Sequence, residues 1–187
     1  MLDLLEDLVK TPPSTRDDIL TGGAGCGDKD DPIARRRVDA AWIGHDDGTP
    51  IIIIVEVDEN GGHPDRHPQC EATKITDTFR AHQQLLPGCK SATLRINPEQ
   101  HDGAPSITGH SLEARVALVA ARVNALIAPG GMANLTETAP YVEYYYYHSS
   151  CYKHIEYARG AAANSLTVFG VFPDGAKGHF DGRGDDA

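Results

Sequence analysis

Residues 51–63 read Ile51-Ile52-Ile53-Ile54-Val55-Glu56-Val57-Asp58-Glu59-Asn60-Gly61-Gly62-His63. Five consecutive β-branched residues followed by acids and a glycine pair predict a buried strand that ends in a group of carboxylates. Because side chains alternate along a strand, Glu56 and Asp58 should share one face, with Ile52 and Ile54 behind them. Carboxylates at the end of a buried strand are costly unless they are paired or bind a cation. This strand is therefore the first place to look for function.

The bulk composition narrows the class of protein. The chain has 187 residues, enough for one domain with a substantial core, and a formal net charge of −10. This sign excludes a protein that coats nucleic acid by charge alone, so a nucleic-acid contact would need a local basic patch. No apolar run is long enough to span a membrane, and the acidic N-terminus is unlike a secretion signal. The four cysteines are scattered, which favours an intracellular protein with reduced thiols.

Hydrophobic periodicity predicts an α/β domain over residues 1–172, with a mixed central β-sheet and flanking helices. A glycine-rich loop is expected over 20–32, and residues 45–50 should turn a hairpin between two strands. Ser111 is a plausible N-cap for the last helix. The Gly- and Asp-rich residues 173–187 predict a disordered tail. The predicted helices are 2–10, 73–86 and a third that follows Ser111 and stops before Pro129; the predicted strands are 35–44, 51–57, 92–96, 141–148 and 165–172.

The hairpin makes a geometric prediction about two acids. In the antiparallel register where Gly44 faces Ile51, Asp39 lies opposite Glu56. Like charges this close repel each other unless a cation lies between them. With the Asp58 region, they would present hard oxygen ligands that suit Mg²⁺ or Mn²⁺ rather than Zn²⁺. The alternative is that these acids are simply solvated residues at strand ends.

Four short motifs, taken in order, resemble the PD-(D/E)XK nuclease superfamily. They are most similar to the restriction-endonuclease-like domains of large DNA viruses and algae, and the resemblance covers about residues 15–150. The motifs are Arg36-Arg37-Val38-Asp39, then Val55-Glu56-Val57-Asp58-Glu59-Asn60 with His63, then Cys70-Glu71-Ala72-Thr73-Lys74, and last Leu94-Arg95-Ile96-Asn97-Pro98-Glu99.

The resemblance implies a restriction-endonuclease-like fold and metal-dependent cleavage of DNA phosphodiesters. Asp39 and Glu56 match the metal-binding acids, and the backbone carbonyl of Val57 would be a further ligand. The position usually held by the motif's lysine is occupied here by Asp58, which we also count among the metal and catalytic candidates. Lys74, in the following helix, is the candidate for the displaced basic role.

Two further groups of residues have competing interpretations. His63 occupies the place where the very-short-patch repair nucleases, a branch of the superfamily, carry a catalytic histidine, but it could equally be a surface-loop residue. His67 and Cys70 could form part of a structural zinc site, with Cys89 or Cys26 as remote ligands, although their spacing is unlike that of most zinc sites.

DNA contact would require positive charge near the predicted metal site. The candidates are Arg35–Arg37, Arg80, Lys90 and Arg95, and the Tyr144–Tyr147 run offers stacking surface or sheet core. The function we expect is a Mg²⁺-dependent endodeoxyribonuclease that uses a homodimer or a recognition partner. The alternatives are a catalytically inactive nucleic-acid-binding domain of the same fold and a zinc-binding interaction module.

Overall fold

The protein is described by a computed structural model over residues 1–22, 35–57, 68–96, 111–145, 169–171 and 177–179. The helices are α1 (Leu2–Leu8), α2 (Pro68–Leu85) and α3 (Leu112–Ile127). The strands are β1 (Thr15–Gly22), β2 (Arg35–Asp46), β3 (Thr49–Val57), β4 (Lys90–Ile96), β5 (Tyr141–Tyr145), β6 (Phe169–Val171) and β7 (Lys177–His179). None of the helices within these ranges is long and apolar enough to cross a membrane.

The strands form one mixed sheet in the order of the sequence, from β1 to β7. β1, β2 and β3 are an antiparallel meander, β3 to β6 run parallel, and β7 returns antiparallel to β6. The predicted α/β class with a mixed sheet and flanking helices is confirmed. The five strands β1 to β5 make up most of the sheet, because β6 and β7 have three residues each.

The β2–β3 hairpin has the predicted register. Gly44 pairs with Ile51, and the ladder runs from Asp46 opposite Thr49 to Ala40 opposite Val55. Only Asp47 and Gly48 form the turn, with φ of 49° and 79°. Two positive φ angles are the signature of a type I′ turn, whose twist matches that of the strands it joins. The turn is therefore shorter than predicted from 45–50, and both strands are longer.

The larger core lies on the sheet face covered by α1 and α3. Ile53 and Leu94, from the central strands, are fully buried against Val119 and Val123 of α3. Asn124 ties α1 to α3, since its Oδ1 accepts from the Lys10 backbone nitrogen at 2.9 Å and its Nδ2 donates to the Leu8 carbonyl at 3.1 Å. The predicted cap of α3 is confirmed, since the Ser111 hydroxyl accepts from Ala114 N.

The opposite face is covered by α2, with less apolar burial. Ile52 and Ile54 of β3 face this side with Cys89, and Ile75 of α2 packs beside Ile54. The helix also places a histidine against the sheet, because His82 Nδ1 lies 2.8 Å from Ser91 Oγ on β4. The two helices that follow β3 and β4 thus lie on different faces.

The two parallel crossovers have opposite hands. β3 to β4 and β4 to β5 step in the same direction across the sheet, and both pairs are parallel. The first crossover passes through α2 and the second through α3, on opposite faces. One of the two therefore departs from the strong preference for right-handed crossovers.

Several element boundaries differ from the prediction. β1 was not predicted, because its Thr15–Gly22 sequence carries charges at positions where a buried strand would be apolar; an edge strand tolerates them. α2 begins at Pro68 rather than residue 73, which fits the preference of proline for a first helical turn. In α1, Leu8 is 41% exposed, although its spacing places it on the same helical face as the buried Leu5. Lys177–His179 pairs as β7 within the tail predicted to be disordered.

Candidate functional site

The end of the sheet that carries the carboxyl termini of β3 and β4 is the candidate functional site. β3 is followed by a helix on one face and β4 by a helix on the other. The two helices therefore lie on opposite faces of the sheet. In open α/β sheets, ligands bind outside the carboxyl ends of the strands. The carboxyl end of β3 is thus a favoured position for a ligand, independently of its acidic sequence.

Glu56 and Arg95 are neighbours at these strand ends. They are directly paired in the parallel β3–β4 register, so their backbones lie about 4.8 Å apart and their side chains share a face. Arg95 is only 5% exposed. Both residues line a cavity of about 20 Å³, which is room for about one water molecule. The other lining residues are Ile54, Ile75, Thr78 and Thr93.

Asp39 reaches the same strand end from β2. Its carboxylate accepts a hydrogen bond from the backbone nitrogen of Val57 at 2.5 Å. Asp39 is half-buried and lies one residue beyond the last pair of the hairpin ladder, Ala40 with Val55. Its carboxylate is thus fixed beside the residue that follows Glu56, close to the position that the predicted register required.

The donor set at this strand end fits a hard divalent cation. Asp39 and Glu56 offer carboxylate oxygens, and Mg²⁺ is often held by only one or two carboxylates together with water. Among the described residues, no group of three or more His, Cys, Asp or Glu side chains could hold a metal ion. Asp58, which was expected to complete the set, lies outside the described residues. The neighbouring Arg95 is a positive charge that a bound cation would have to tolerate or displace.

Of the two remaining catalytic candidates, His63 and Lys74, the structure describes only the backbone of Lys74. His63 lies outside the described residues. The backbone of Lys74 lies in the second turn of α2, because this helix begins earlier than predicted. Lys74 precedes by one turn Thr78, which lines the cavity with Glu56. The backbone of Lys74 therefore lies on the side of the sheet that Glu56 faces.

The described basic residues do not form the predicted DNA-facing cluster. Arg95 is buried, whereas Arg80 is exposed and pairs with Asp77 at 3.6 Å. Lys90 lies at the other end of β4, about 17 Å from Arg95 along the strand, where its Nζ donates to the Met132 carbonyl. Lys90 is therefore remote from the candidate site, whereas a DNA-facing cluster that includes Arg35–Arg37 stays a prediction. The side chains of Arg35–Arg37 are not among those described.

Cys89 cannot complete a zinc site with Cys70. Cys70 lies near the start of α2, and Cys89 follows its end, so the helix separates them by about 22 Å. Cys89 is fully buried, and its backbone carbonyl accepts from Gln83 Nε2 at 2.7 Å. Burial also raises the pKa of its thiol. It is a structural core residue, while His67 and Cys26 lie outside the described residues.

The tyrosine-rich strand contains a polar network that the sequence analysis missed. Glu143 is 2% exposed and accepts hydrogen bonds from Arg122 Nε at 2.7 Å and from the hydroxyls of Tyr141 and Tyr145. Burial, reinforced by the negative charge of Glu143, raises the pKa of both tyrosines. The signal was the alternation of Tyr141, Glu143 and Tyr145, which puts all three on the α3 face. Tyr141 and Tyr145 are therefore core residues and offer no surface for base stacking.

A row of polar side chains lies between α2 and β4. It begins at Arg95, beside Glu56, and continues along β4 towards Ser91. Arg95, Thr93 and Ser91 alternate along β4, and Thr78 and His82 face them from α2. His82 is fully buried, and this burial lowers its pKa from 6.5 to about 4, so it is neutral at physiological pH. We refer to Ser91, Thr93, Arg95, Thr78 and His82 as the α2–β4 polar row. It extends from the candidate site into the interior.

The chain was compared with known proteins in three ways. A scan against protein-family models, a search of curated proteins and a search of solved structures each returned no match.

Proposed function

We propose that this protein is a Mg²⁺-dependent endodeoxyribonuclease of restriction-endonuclease-like fold, acting inside the cell. The observation that carries the proposal is the position of Asp39, whose carboxylate binds the backbone nitrogen of Val57 directly after Glu56. Two acids from neighbouring strands are thereby held at one strand end, where the sheet topology favours a ligand site. The ordered motifs shared with the PD-(D/E)XK superfamily supply the reaction class.

On this proposal, Asp39, Glu56 and the Val57 carbonyl hold the cation, with Mn²⁺ as a possible substitute and Asp58 as a further ligand. A bound divalent cation activates a water and neutralises charge on the phosphoryl group. The Asp39 hydrogen bond fixes the Val57 peptide, so the β3 end is rigid before substrate arrives. Lys74 or His63 orients the attacking water or stabilises the pentacovalent phosphate.

The second candidate is a non-catalytic nucleic-acid-binding domain, and one observation favours it. Arg95 is buried beside Glu56 and could neutralise this carboxylate without any metal. The replacement of the motif lysine by Asp58 points the same way. A domain of this kind would bind DNA without cleaving it.

The discriminating experiment is cleavage of supercoiled plasmid with Mg²⁺, Mn²⁺ or EDTA. Wild type is compared with Glu56→Gln, which keeps the side-chain shape, and with the exposed control Glu137→Gln. Nicking that requires the metal, persists in the control and disappears in Glu56→Gln supports the nuclease. DNA binding without cleavage by folded wild type, with every ion tested, supports the binding domain instead.

A further inference from the structure

The imidazole of His82 is a buried titratable group that the proposed reaction does not use. It lies between α2 and the sheet, fully buried, with its Nδ1 2.8 Å from the Ser91 hydroxyl on β4. Its Nε2 has no hydrogen-bond partner in the part of the chain that the structure describes. An unsatisfied polar atom in the interior weakens the packing around it, because water would bind it better than the fold does. The contact between α2 and β4 therefore contains a built-in weak point.

A proton added to this ring would find little to balance its charge. When His82 is protonated, both ring nitrogens are donors, and only Nδ1 has an acceptor, the Ser91 hydroxyl. Along β4, Cys89 is fully buried with a raised thiol pKa, so it is neutral. Arg95, four residues after Ser91, is positive and about 13 Å away along the strand. Glu56 pairs with Arg95 in the β3–β4 register and is therefore equally remote.

Two other neighbouring elements also place no described acid beside the ring. On α2, Asp77 pairs with Arg80 and lies about 140° around the helix from His82. β2 contributes apolar side chains to this layer. Its Asp39 binds the Val57 backbone nitrogen at the opposite end of the strands. The ring is thus surrounded mainly by groups that disfavour a positive charge.

The direction of the pH effect follows from this environment. β1 also contacts α2 and carries Asp17 and Asp18, whose side chains are not described. Burial lowers the pKa of His82 from 6.5 to about 4 while α2 rests on the sheet. Once α2 leaves, the solvated ring binds a proton below about pH 6.5. A fall in pH between these two values therefore favours separation, and neutral pH favours the closed layer.

We propose that His82 makes α2 an acid-sensitive element, whose separation from the sheet becomes more frequent as the pH falls from neutral to about 5, while the layer of α1 and α3 stays folded. The α2 layer yields first because it rests on a smaller apolar cluster than the α3 layer does. Ile75 and Thr78 line the cavity of the candidate site, so each separation removes one wall of it. The inference does not depend on the proposed function, since the ring titrates whether or not the protein cleaves DNA.

Two native side chains report on the two layers separately. Cys89 is fully buried on the α2 side, with its Sγ 3.7 Å from Gln83 Nε2 of α2. Trp42, the only tryptophan of the chain, is buried in the core beneath α1 and α3. The test treats the full chain with dithiodipyridine, a disulfide reagent that reacts with thiols at acid pH, and identifies the label on Cys89 by peptide mass spectrometry. The rate in the urea-unfolded chain divided by the native rate gives the protection of Cys89 at each pH, while Trp42 fluorescence follows the other layer.

Protection of Cys89 should fall about 30-fold between about pH 7.5 and pH 5, the ratio that follows from the two pKa values of His82, with the Trp42 emission unchanged. His82→Gln should abolish this fall, and His82→Phe, which keeps a ring without a titrating nitrogen, serves the same purpose if the glutamine variant does not fold. The exposed His45→Gln is the matched control and should keep the fall.

Two results would overturn the proposal. One is protection that does not change with pH in the wild type, or that falls equally in the His82 variants, because the ring would then have no part in it. The other is a change of Trp42 emission in step with the labelling of Cys89, because both layers would then open together.

Discussion

His82 Nδ1 lies 2.8 Å from the hydroxyl of Ser91, inside the layer between α2 and the sheet. The ring is fully buried, its Nε2 has no hydrogen-bond partner in the described structure, and its pKa is lowered to about 4. In the unfolded chain a histidine binds a proton below about pH 6.5. The depressed pKa therefore contributes stability that is complete above about 6.5 and is lost as the pH falls towards 4.

We expect acidification over this window to lower the free energy of unfolding by about 3 kcal/mol through His82. Urea denaturation at a series of pH values measures it, and His82→Gln should remove this part of the slope. The exposed His45 supplies the control, since His45→Gln should leave the slope intact. An unchanged acid slope in His82→Gln would contradict the prediction.

At the alkaline end, Tyr141 and Tyr145 should limit stability. Their pKa values are raised above the ordinary value of 10 by burial and by Glu143. Groups with raised pKa values stabilise the fold below the unfolded pKa, and this contribution is lost as the pH rises beyond 10. The expected loss is about 1.4 kcal/mol per pH unit for each tyrosine. The chain has seven tyrosines, so the tyrosinate absorbance of these two is the difference between wild type and the variants Tyr141→Phe and Tyr145→Phe. This difference should appear together with unfolding; its appearance in the folded protein near pH 10 would show that the two rings are not buried as described.

Substitution of the buried Asp46 should lower the stability of the fold. It is 7% exposed, and its two carboxylate oxygens accept from the backbone nitrogens of Gly130 at 2.7 Å and Met132 at 3.1 Å. Asp46→Asn places an amide group against one of these donors, so a loss of about 1–3 kcal/mol is expected. Asp47→Asn, at the exposed neighbouring turn position, should change stability by less than about 0.5 kcal/mol. Equal losses of stability for the two variants in chemical denaturation would show that the hydrogen bonds of Asp46 to Gly130 and Met132 do not stabilise the fold.

Gly131 has no room for a side chain. A Cβ there would lie 2.1 Å from the carbonyl oxygen of Ala125 and 2.7 Å from that of Leu126, both backbone atoms. Gly131→Ala should therefore destabilise the fold by more than about 3 kcal/mol. Gly130 has open space but a φ of 76°, so Gly130→Ala should cost only about 1 kcal/mol. Thermal unfolding of the two variants compares a backbone clash with a purely conformational cost.

The sequence predicted the centre of the fold better than its margins. The isoleucine run and the Asp47-Gly48 turn set the β2–β3 register, because buried alternation and turn chemistry are local signals. β1 was missed because an edge strand does not require a continuous apolar face. No local signal could say that α2 and α3 cover opposite faces, which depends on the packing of the whole sheet.

The same limit applies to the candidate site. The acidic end of β3 and the relation of Asp39 to it could be predicted, since both follow from strand register. The burial of Arg95 could not, because its chain position suggested an exposed basic patch whereas the parallel pairing with Glu56 places it inside. The Glu143 network was missed for a related reason: a tyrosine run suggests surface stacking until the facing helix supplies Arg122.

The unequal layers on the two faces of the sheet give the protein two levels of local stability. The α3 layer is joined to the sheet by a broad apolar core, whereas the α2 layer rests partly on the α2–β4 polar row. Amide hydrogens of α2 should consequently exchange through smaller, sub-global openings, while those of α3 exchange only near global unfolding. On the proposed function, the less stable of the two layers is the one that borders Glu56.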